Sequence, residues 1–406
     1  MPTYMTPGVY VEEVSTGPRP IQAVGTGTAG FVGVAPNAGA HLQEAFAVNN
    51  WSQFQREFVG EATASTPLVQ AVFGFFDNGG ERCYVVNVGS SGNLAGDKSG
   101  RNGLQLLEEI DEIAIVAAPG FTDAASYDLL LSHAENLQDR VAILDPPLEV
   151  KNIDLLKKVA SAAPTRRSRG SAEEETEGGG GAQPTGLKPR QSDRGFGAFY
   201  FPCIHTRDPL DPEKIVATYP SGHMAGIYAQ TDAMRGVHKA PANLPIRGAL
   251  GLSYRMTRQE QGELNQLGVN CFRFFPREGI RVWGARTLAD GASEWRYLNV
   301  RRLFNMVEES IMQSTRWVVF EPNDRTLWTS IRRDISAFLM LLWRDGALMG
   351  AAPEEAFFVQ CDEETNPPEV IDAGMVVTVI GIAPVKPAEF IVFRIGQHAS
   401  GAQVEM

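Results

Sequence analysis

The chain has 406 residues, 43% of them hydrophobic and 21% charged, with a formal net charge of -12. That length exceeds one ordinary core and predicts two or three domains of globular composition. The negative balance excludes broad binding to nucleic acid or anionic membrane. The charge is uneven, however: residues 230–350 hold 17 Arg and Lys against 12 Asp and Glu. This fits either a basic face opposite an acidic partner or an Arg-rich solvated surface.

In chain order, Pro7-Gly8 precedes the short strand pattern Val9-Tyr10-Val11-Glu12-Glu13-Val14, which Gly17-Pro18-Arg19-Pro20 stops. Gly25-Thr26-Gly27-Thr28-Ala29-Gly30 has GxGxxG spacing, but the strand Phe31-Val32-Gly33-Val34 follows it. A dinucleotide site needs a helix N-terminus there, so the motif reads as a Gly-rich connection. Helical periodicity follows over residues 51–58. It returns from Pro67, with Leu68, Val69, Val72, Phe73 and Phe76 as the apolar stripe and Asn78-Gly79-Gly80 as the stop. Residues 83–88 are a buried strand. Residues 113–117 and 141–144 are continuous apolar strands around a helix at 127–137, which predicts a small parallel α/β unit covered on both faces. Residues 161–195 combine an Arg cluster, Glu173-Glu174-Glu175 and four consecutive glycines, and read as a disordered surface loop.

An apolar strand at 196–201 can join the same sheet. Further strands are predicted at 269–274, 279–286, 317–320 and 376–382. Val300, Leu303, Phe304, Val307 and Ile311 mark one helix. A second runs through Leu327, Trp328, Ile331, Ile335, Phe338, Leu339 and Leu342, with Asn323 or Asp324 as N-cap, Gly346 as stop, and Arg332 and Arg333 on its polar side. After the breaker at 384–387 comes Glu389-Phe390-Ile391-Val392-Phe393-Arg394-Ile395, a strand closed by Gly396. Both terminal strands leave backbone groups unpaired unless a sheet of the same or a neighbouring molecule accepts them.

No catalytic constellation accompanies these elements. The six histidines form neither HExxH nor a zinc-like spacing, and Ser221-Gly222-His223 lacks a GxSxG elbow and reads as a turn. Cys83, Cys203, Cys271 and Cys361 stand apart in apolar company and read as buried reduced thiols of a chain made in the cytoplasm. There is no signal-peptide pattern or membrane-span run, and no cofactor is expected.

Several motifs together resemble the contractile tail sheath proteins of contractile phages, R-type pyocins and extracellular contractile injection systems. They are Thr6-Pro7-Gly8-Val9-Tyr10-Val11-Glu12-Glu13, Ser221-Gly222-His223-Met224-Ala225-Gly226-Ile227-Tyr228-Ala229 and Arg235-Gly236-Val237-His238-Lys239-Ala240-Pro241-Ala242-Asn243, followed by Gly268-Val269-Asn270, Val282-Trp283-Gly284-Ala285-Arg286-Thr287, Phe320-Glu321-Pro322-Asn323-Asp324 and Pro387-Ala388-Glu389-Phe390. The resemblance implies a mixed α/β, two-domain subunit. Residues 1–20 would be an N-terminal linking arm, 21–90 and 245–384 an inner domain, 91–244 an inserted outer α/β domain, and 385–406 a C-terminal linking strand. It further implies stacked hexameric discs around an inner tube, with baseplate and terminal cap proteins as partners, no membrane insertion, and work drawn from a metastable extended state. On that basis Val9, Tyr10, Val11 and Val14, with Phe390, Ile391, Val392, Phe393 and Ile395, are the intersubunit arm residues, and Arg332 and Arg333 are candidates to face the tube. The alternatives are an α/β enzyme using the Gly-rich connection for a nucleotide or small molecule, or another tube or capsid assembly protein.

Overall fold

Alternate residues of a β-strand point to opposite faces of its sheet, and here both faces are buried. Phe31, Val85, Ala198 and Tyr200 lie in one apolar cluster, while their chain neighbours Val32, Val86, Phe199 and Phe201 lie in a second. The computed structural model describes residues 20–90, 92–96, 100–161 and 186–393. The strands up to residue 282 are β1 (Ala29–Gly33), β2 (Ala45–Val48), β3 (Cys83–Asn87), β4 (Ile115–Ala117), β5 (Val141–Leu144), β6 (Gly197–Phe201), β7 (Ile204–Arg207), β8 (Ile215–Thr218), β9 (Gly251–Leu252), β10 (Val269–Phe275) and β11 (Gly279–Val282). Eight of them form one sheet in the order β11-β10-β6-β5-β4-β1-β3-β2, and β7, β8 and β9 form a small separate sheet. Neighbours from β10 through β3 are parallel; β2 and β11 close the two edges antiparallel.

The residues fall into two compact units. One comprises Gly25–Asn305 with residues 385–393 and contains the large sheet; the other comprises residues 20–24 and Met306–Pro384. The boundaries expected at 90/91 and 244/245 are therefore corrected. β1 to β3, β4 to β6, and β10 to β11 share hydrogen bonds across the same sheet, so no compact unit ends between them. Composition along the chain does not report which distant strands pair.

Other expectations change for local reasons. Residues 317–320 are not a strand: a short 3-10 turn at Arg316–Val318 is followed by Phe320 at φ 69, with the backbone satisfied by turn bonds such as Val318 N–H to Thr315 O. The later strands are shorter than expected, β11 ending at Val282 and the strand within 376–382 covering Val379–Ile382. Residues 186–195, expected within the loop, are among the described residues and are held in place. Arg190 donates to Asp128 and Glu135, and Ser192 is fully buried; residues 162–185 lie outside the described residues.

Ser221-Gly222-His223 opens a helix, Ser221–Arg235, rather than a turn. The helix packs on another, Pro67–Asp77, whose N-cap Thr66 accepts from Val69 N–H and whose first residue is Pro67. The contact depends on missing side chains: a Cβ on Gly222 would lie 2.1 Å from Ala71 O, and one on Gly226 2.4 Å from Phe75 O. His223 fills the space that a side chain at Gly74 would occupy. Ser221 donates from its N–H and its hydroxyl to the buried Asp145 carboxylate, at 2.8 and 2.6 Å. These bonds tie the helix start to the end of β5.

Two predictions follow from this packing. Gly222→Ala forces the helices apart and lowers the unfolding free energy by about 1–3 kcal/mol. Gly262→Ala, where an added Cβ meets nothing within 4 Å inside the helix Arg258–Gln266, raises it by about 0.5–1 kcal/mol. Urea unfolding measures both.

A third prediction concerns pH. Burial lowers His223 from the ordinary 6.5 to about 4. Burial, together with the nearby Arg140 charge, lowers His133 to about 3. Both favour the fold while neutral, so their contribution is present above 6.5 and is lost as pH falls toward 4 and then 3. Burial raises Asp145 from 3.8 to about 7 against the opposing Ser221 bonds. Its protonated form favours the fold, and stability is lost as pH rises from 3.8 to 7. The two effects oppose each other, so Asp145→Asn makes the loss of stability from pH 7 to 4 steeper than in the unaltered chain, measured by urea midpoints across that range.

Candidate assembly site

The C-terminal end is held at one carboxylate and open beyond it. In the unit with the large sheet, Asn299 Nδ2 donates to Val385 O at 3.1 Å, fixing the chain as it enters its last segment. Four residues later, Glu389 receives a forked ion pair from Arg286, Nε to Oε1 at 2.9 Å and Nη2 to Oε2 at 2.6 Å. Asn265 Nδ2 donates to Oε1 at 2.6 Å, and the Tyr297 hydroxyl to Oε2 at 3.4 Å. Arg286 is itself locked by the fully buried Asn270 of β10, whose Oδ1 accepts from Arg286 N–H and whose Nδ2 donates to Arg286 O, both at 2.7 Å. Partial burial pushes the Glu389 carboxyl up, but the Arg286 and Asn265 bonds outweigh it and hold the pKa below the ordinary carboxylate value.

Immediately after this anchor, Phe390, Ile391, Val392 and Phe393 are between 74% and 84% exposed. Residues 389–393 belong to no strand, where a strand was expected over 389–395. Among the described residues no sheet pairs with them, and without a partner an extended segment forms no ladder. Ile395 lies outside the described residues, as do Val9, Tyr10, Val11 and Val14.

The described chain from residue 20 onward is held differently. In the smaller unit Ile21 is buried, and the N–H groups of Gln22 and Val24 donate to the hydroxyls of Ser314 and Ser310, at 3.3 and 3.0 Å. Those serines stand one turn apart on the helix Leu298–Ser314. In the larger unit, Thr26 and Arg302 both donate to Asp232, and Arg302 also reaches Thr26 O at 3.0 Å. The Gly-rich connection thus serves as a bonded path into β1, with no helix behind it.

The smaller unit also carries an incomplete sheet. Its strands are β12 (Phe357–Gln360) and β13 (Val379–Ile382), antiparallel, with Phe357 opposite Ile382. Phe358 lies over Gly381, where a Cβ would meet the ring at 2.1 Å. Phe358 and Val379 are exposed, and among the described residues neither strand has a second neighbour. The helix Arg325–Arg344 is capped by Asp324, not Asn323, through a bond from Leu327 N–H. It exposes Arg332 and Arg333. Arg333 Nε donates to the buried Asp334 at 2.9 Å, while Arg332 lines a shallow groove with Arg325, Trp328, Asp362 and Glu363.

The sequence picked out the apolar residues after Glu389 but missed Arg286, Asn265 and Tyr297 as partners of that carboxylate. A contact spanning 103 residues has no short-range signal. Ser221 and His223 are directed to separate structural partners, and among the described residues no group of three or more His, Cys, Asp or Glu side chains can hold a metal ion.

Comparisons with known proteins bear on this geometry. The phage tail sheath protein central domain matches residues 202–288, and the phage tail sheath C-terminal domain matches residues 290–397. The tail sheath protein of Vibrio phage KVP40 is 32% identical over 174 residues, which is 42% of this chain and 25% of that protein. The match thus spans about a quarter of that relative's length. Among solved structures, the PVC sheath complex of an extracellular contractile injection system, in its contracted state, is similar with a TM-score of 0.75 and 28% identity over 98% of this chain and 99% of that chain. The contracted helical sheath of the anti-feeding prophage is similar with a TM-score of 0.70 and 28% identity over 98% and 100%. With two adjoining sheath domains matched and a fold shared nearly end to end, the chain belongs to the contractile tail sheath family.

Proposed function

We propose that this chain is the structural subunit of a contractile sheath, polymerising as stacked hexameric rings around an inner tube and contracting to drive that tube through a target envelope. The observation that carries this reading is the exposed apolar end anchored at Glu389, in a chain that also holds a two-stranded sheet with open edges. On this reading the expected terminal strands at 9–14 and 389–395 form on docking to a neighbour, and the free edges of β12 and β13 receive them. The likeness to sheaths in the contracted state supports the reading.

Magnitudes favour a mesh over a single link. In a docked strand at least two of the four apolar side chains at 390–393 face a core, each contributing about 1.5–3 kcal/mol. The resulting 3–6 kcal/mol or so reaches only the low end of the roughly 4–15 kcal/mol cost of association. One arm holds weakly; two arms per subunit, repeated around a ring, hold well. The work of contraction then comes from assembly into a metastable state, with no cofactor or catalytic step. We assign Arg332 and Arg333, on the helix Arg325–Arg344, to the tube-facing side. The inner tube, baseplate and terminal cap are the partners, within a tail or tail-like particle assembled in the cytoplasm. Among the described residues no helix is long and apolar enough to cross a membrane.

Negative-stain electron microscopy of the purified protein is expected to show helical sheaths or contracted tubes. Variants lacking residues 1–15 or 390–406 keep the urea midpoint of the full chain yet form none. A small globular oligomer from the unaltered chain overturns the reading. The tube-facing assignment has its own check: Arg332→Glu with Arg333→Glu weakens co-assembly with the tube protein at low salt and leaves sheath-only polymers intact. Unchanged co-assembly removes that assignment.

A further inference from the structure

The arrangement around Glu389 is more elaborate than an end segment needs. Both carboxylate oxygens are occupied, by donors from three side chains on separate segments, and the carboxylate and guanidinium side chains are only 19% and 12% exposed. Arg286 makes one further bond, Nη1 to Asn265 O at 3.2 Å, so the fork is held in place before Glu389 meets it. A charged pair withdrawn from water is favourable only when its geometry is this complete. Between the bond at Val385 and this pair lie only Lys386, Pro387 and Ala388, and Pro387 restricts the path. The next residue, Phe390, is the first exposed apolar side chain.

We propose that Arg286 and Glu389 form a root clamp that sets where, and in which direction, the C-terminal strand leaves its own subunit. They are positioning residues for donating that strand to a second copy of this chain. The inference rests on the strand-linked assembly proposed above. Its physical content is entropic. Residues left free between the last fixed point and a docked strand must be ordered when docking occurs, and their freedom dilutes the strand over directions that miss the acceptor edge. A clamp at Glu389 leaves no free linker before Phe390. Asn265 and Tyr297 stiffen the carboxylate, and Asn270 stiffens the arginine.

Two variants test the clamp. Glu389→Gln keeps the shape and an oxygen for Asn265 but removes the charge; Arg286→Lys keeps the charge but removes the fork. Hydrogen exchange of the backbone amides over 386–393, measured in unpolymerised protein, is expected to accelerate in both. The concentration needed for polymerisation rises about tenfold for Glu389→Gln and by less for Arg286→Lys. The urea midpoint of unpolymerised protein stays unchanged, a result that a purely fold-supporting ion pair does not give. Accelerated exchange with an unchanged polymerisation threshold overturns the inference, and so does a urea midpoint that falls in step with the threshold. If the unaltered chain does not polymerise at all, the sheath reading fails, and exchange alone decides the clamp. Slow exchange at 386–393 that becomes fast in Glu389→Gln then supports it, and equal exchange overturns it.

Discussion

Backbone N–H and C=O groups must be hydrogen-bonded, and how each part of this chain meets that requirement decides what the part can do. In the larger unit eight strands satisfy one another, and the antiparallel β2 and β11 close the two edges of a largely parallel sheet. In the smaller unit the only paired strands among the described residues are β12 and β13, and two strands alone are marginal in water. The segment 390–393 is apolar, exposed and unpaired among the described residues. The large sheet is thus closed at both edges, whereas β12 and β13 keep free edges that the proposed assembly fills with strands from neighbours.

The completeness of the larger unit extends to the motif that looks most like chemistry. Ser221, Gly222 and His223 have the residue types of a nucleophile, a turn and a base, yet each is used for packing. Ser221 spends both donors on Asp145, Gly222 admits the backbone of Ala71, and His223 occupies the notch left by Gly74. Burial keeps His223 neutral well into the acid range. Gly226 repeats the close contact one turn later, against Phe75. Helices that approach through glycines interlock backbone to backbone, which resists sliding more than an interface of flexible side chains does.

Local signals in the sequence were readable where a local cause exists. Continuous apolar runs marked β3, β4, β5 and β6, Pro67 and Asp324 marked helix starts, and the four cysteines are buried as expected. The errors arose where the cause is distant. Nothing near residue 90 or 245 announces that β3 and β10 belong to one sheet. Trp317, Val318, Val319 and Phe320 have strand composition, but no sheet lies within reach, and turn bonds satisfy the backbone instead. Residues 186–195 were expected to be part of a loop and are held by Arg190, whose carboxylate partners lie 55 and 62 positions away. The apolar run at 390–393 was legible in the sequence, although the strand expected there does not form among the described residues. Its charged root was not legible, because Arg286 and Glu389 meet only once the sheet and the turn after β11 are in place.

That division between a charged root and an apolar end has a mechanical logic in the proposed sheath. A strand added to a neighbour's sheet gains from many small, similar contacts, each about 0.5–1.5 kcal/mol for a backbone bond, and they are lost one after another under load. The forked Arg286–Glu389 pair is different: its bonds share one geometry and hold together until that geometry is left. Under rearrangement of the subunits, strain falls first on the docked strand beyond Glu389, which yields by rotation about backbone bonds. The root keeps its place on the rigid sheet. A link that must survive a large movement is best made stiff where it joins the moving body and compliant beyond it, and the order of residues from Asn299 through Glu389 to Phe393 follows that pattern.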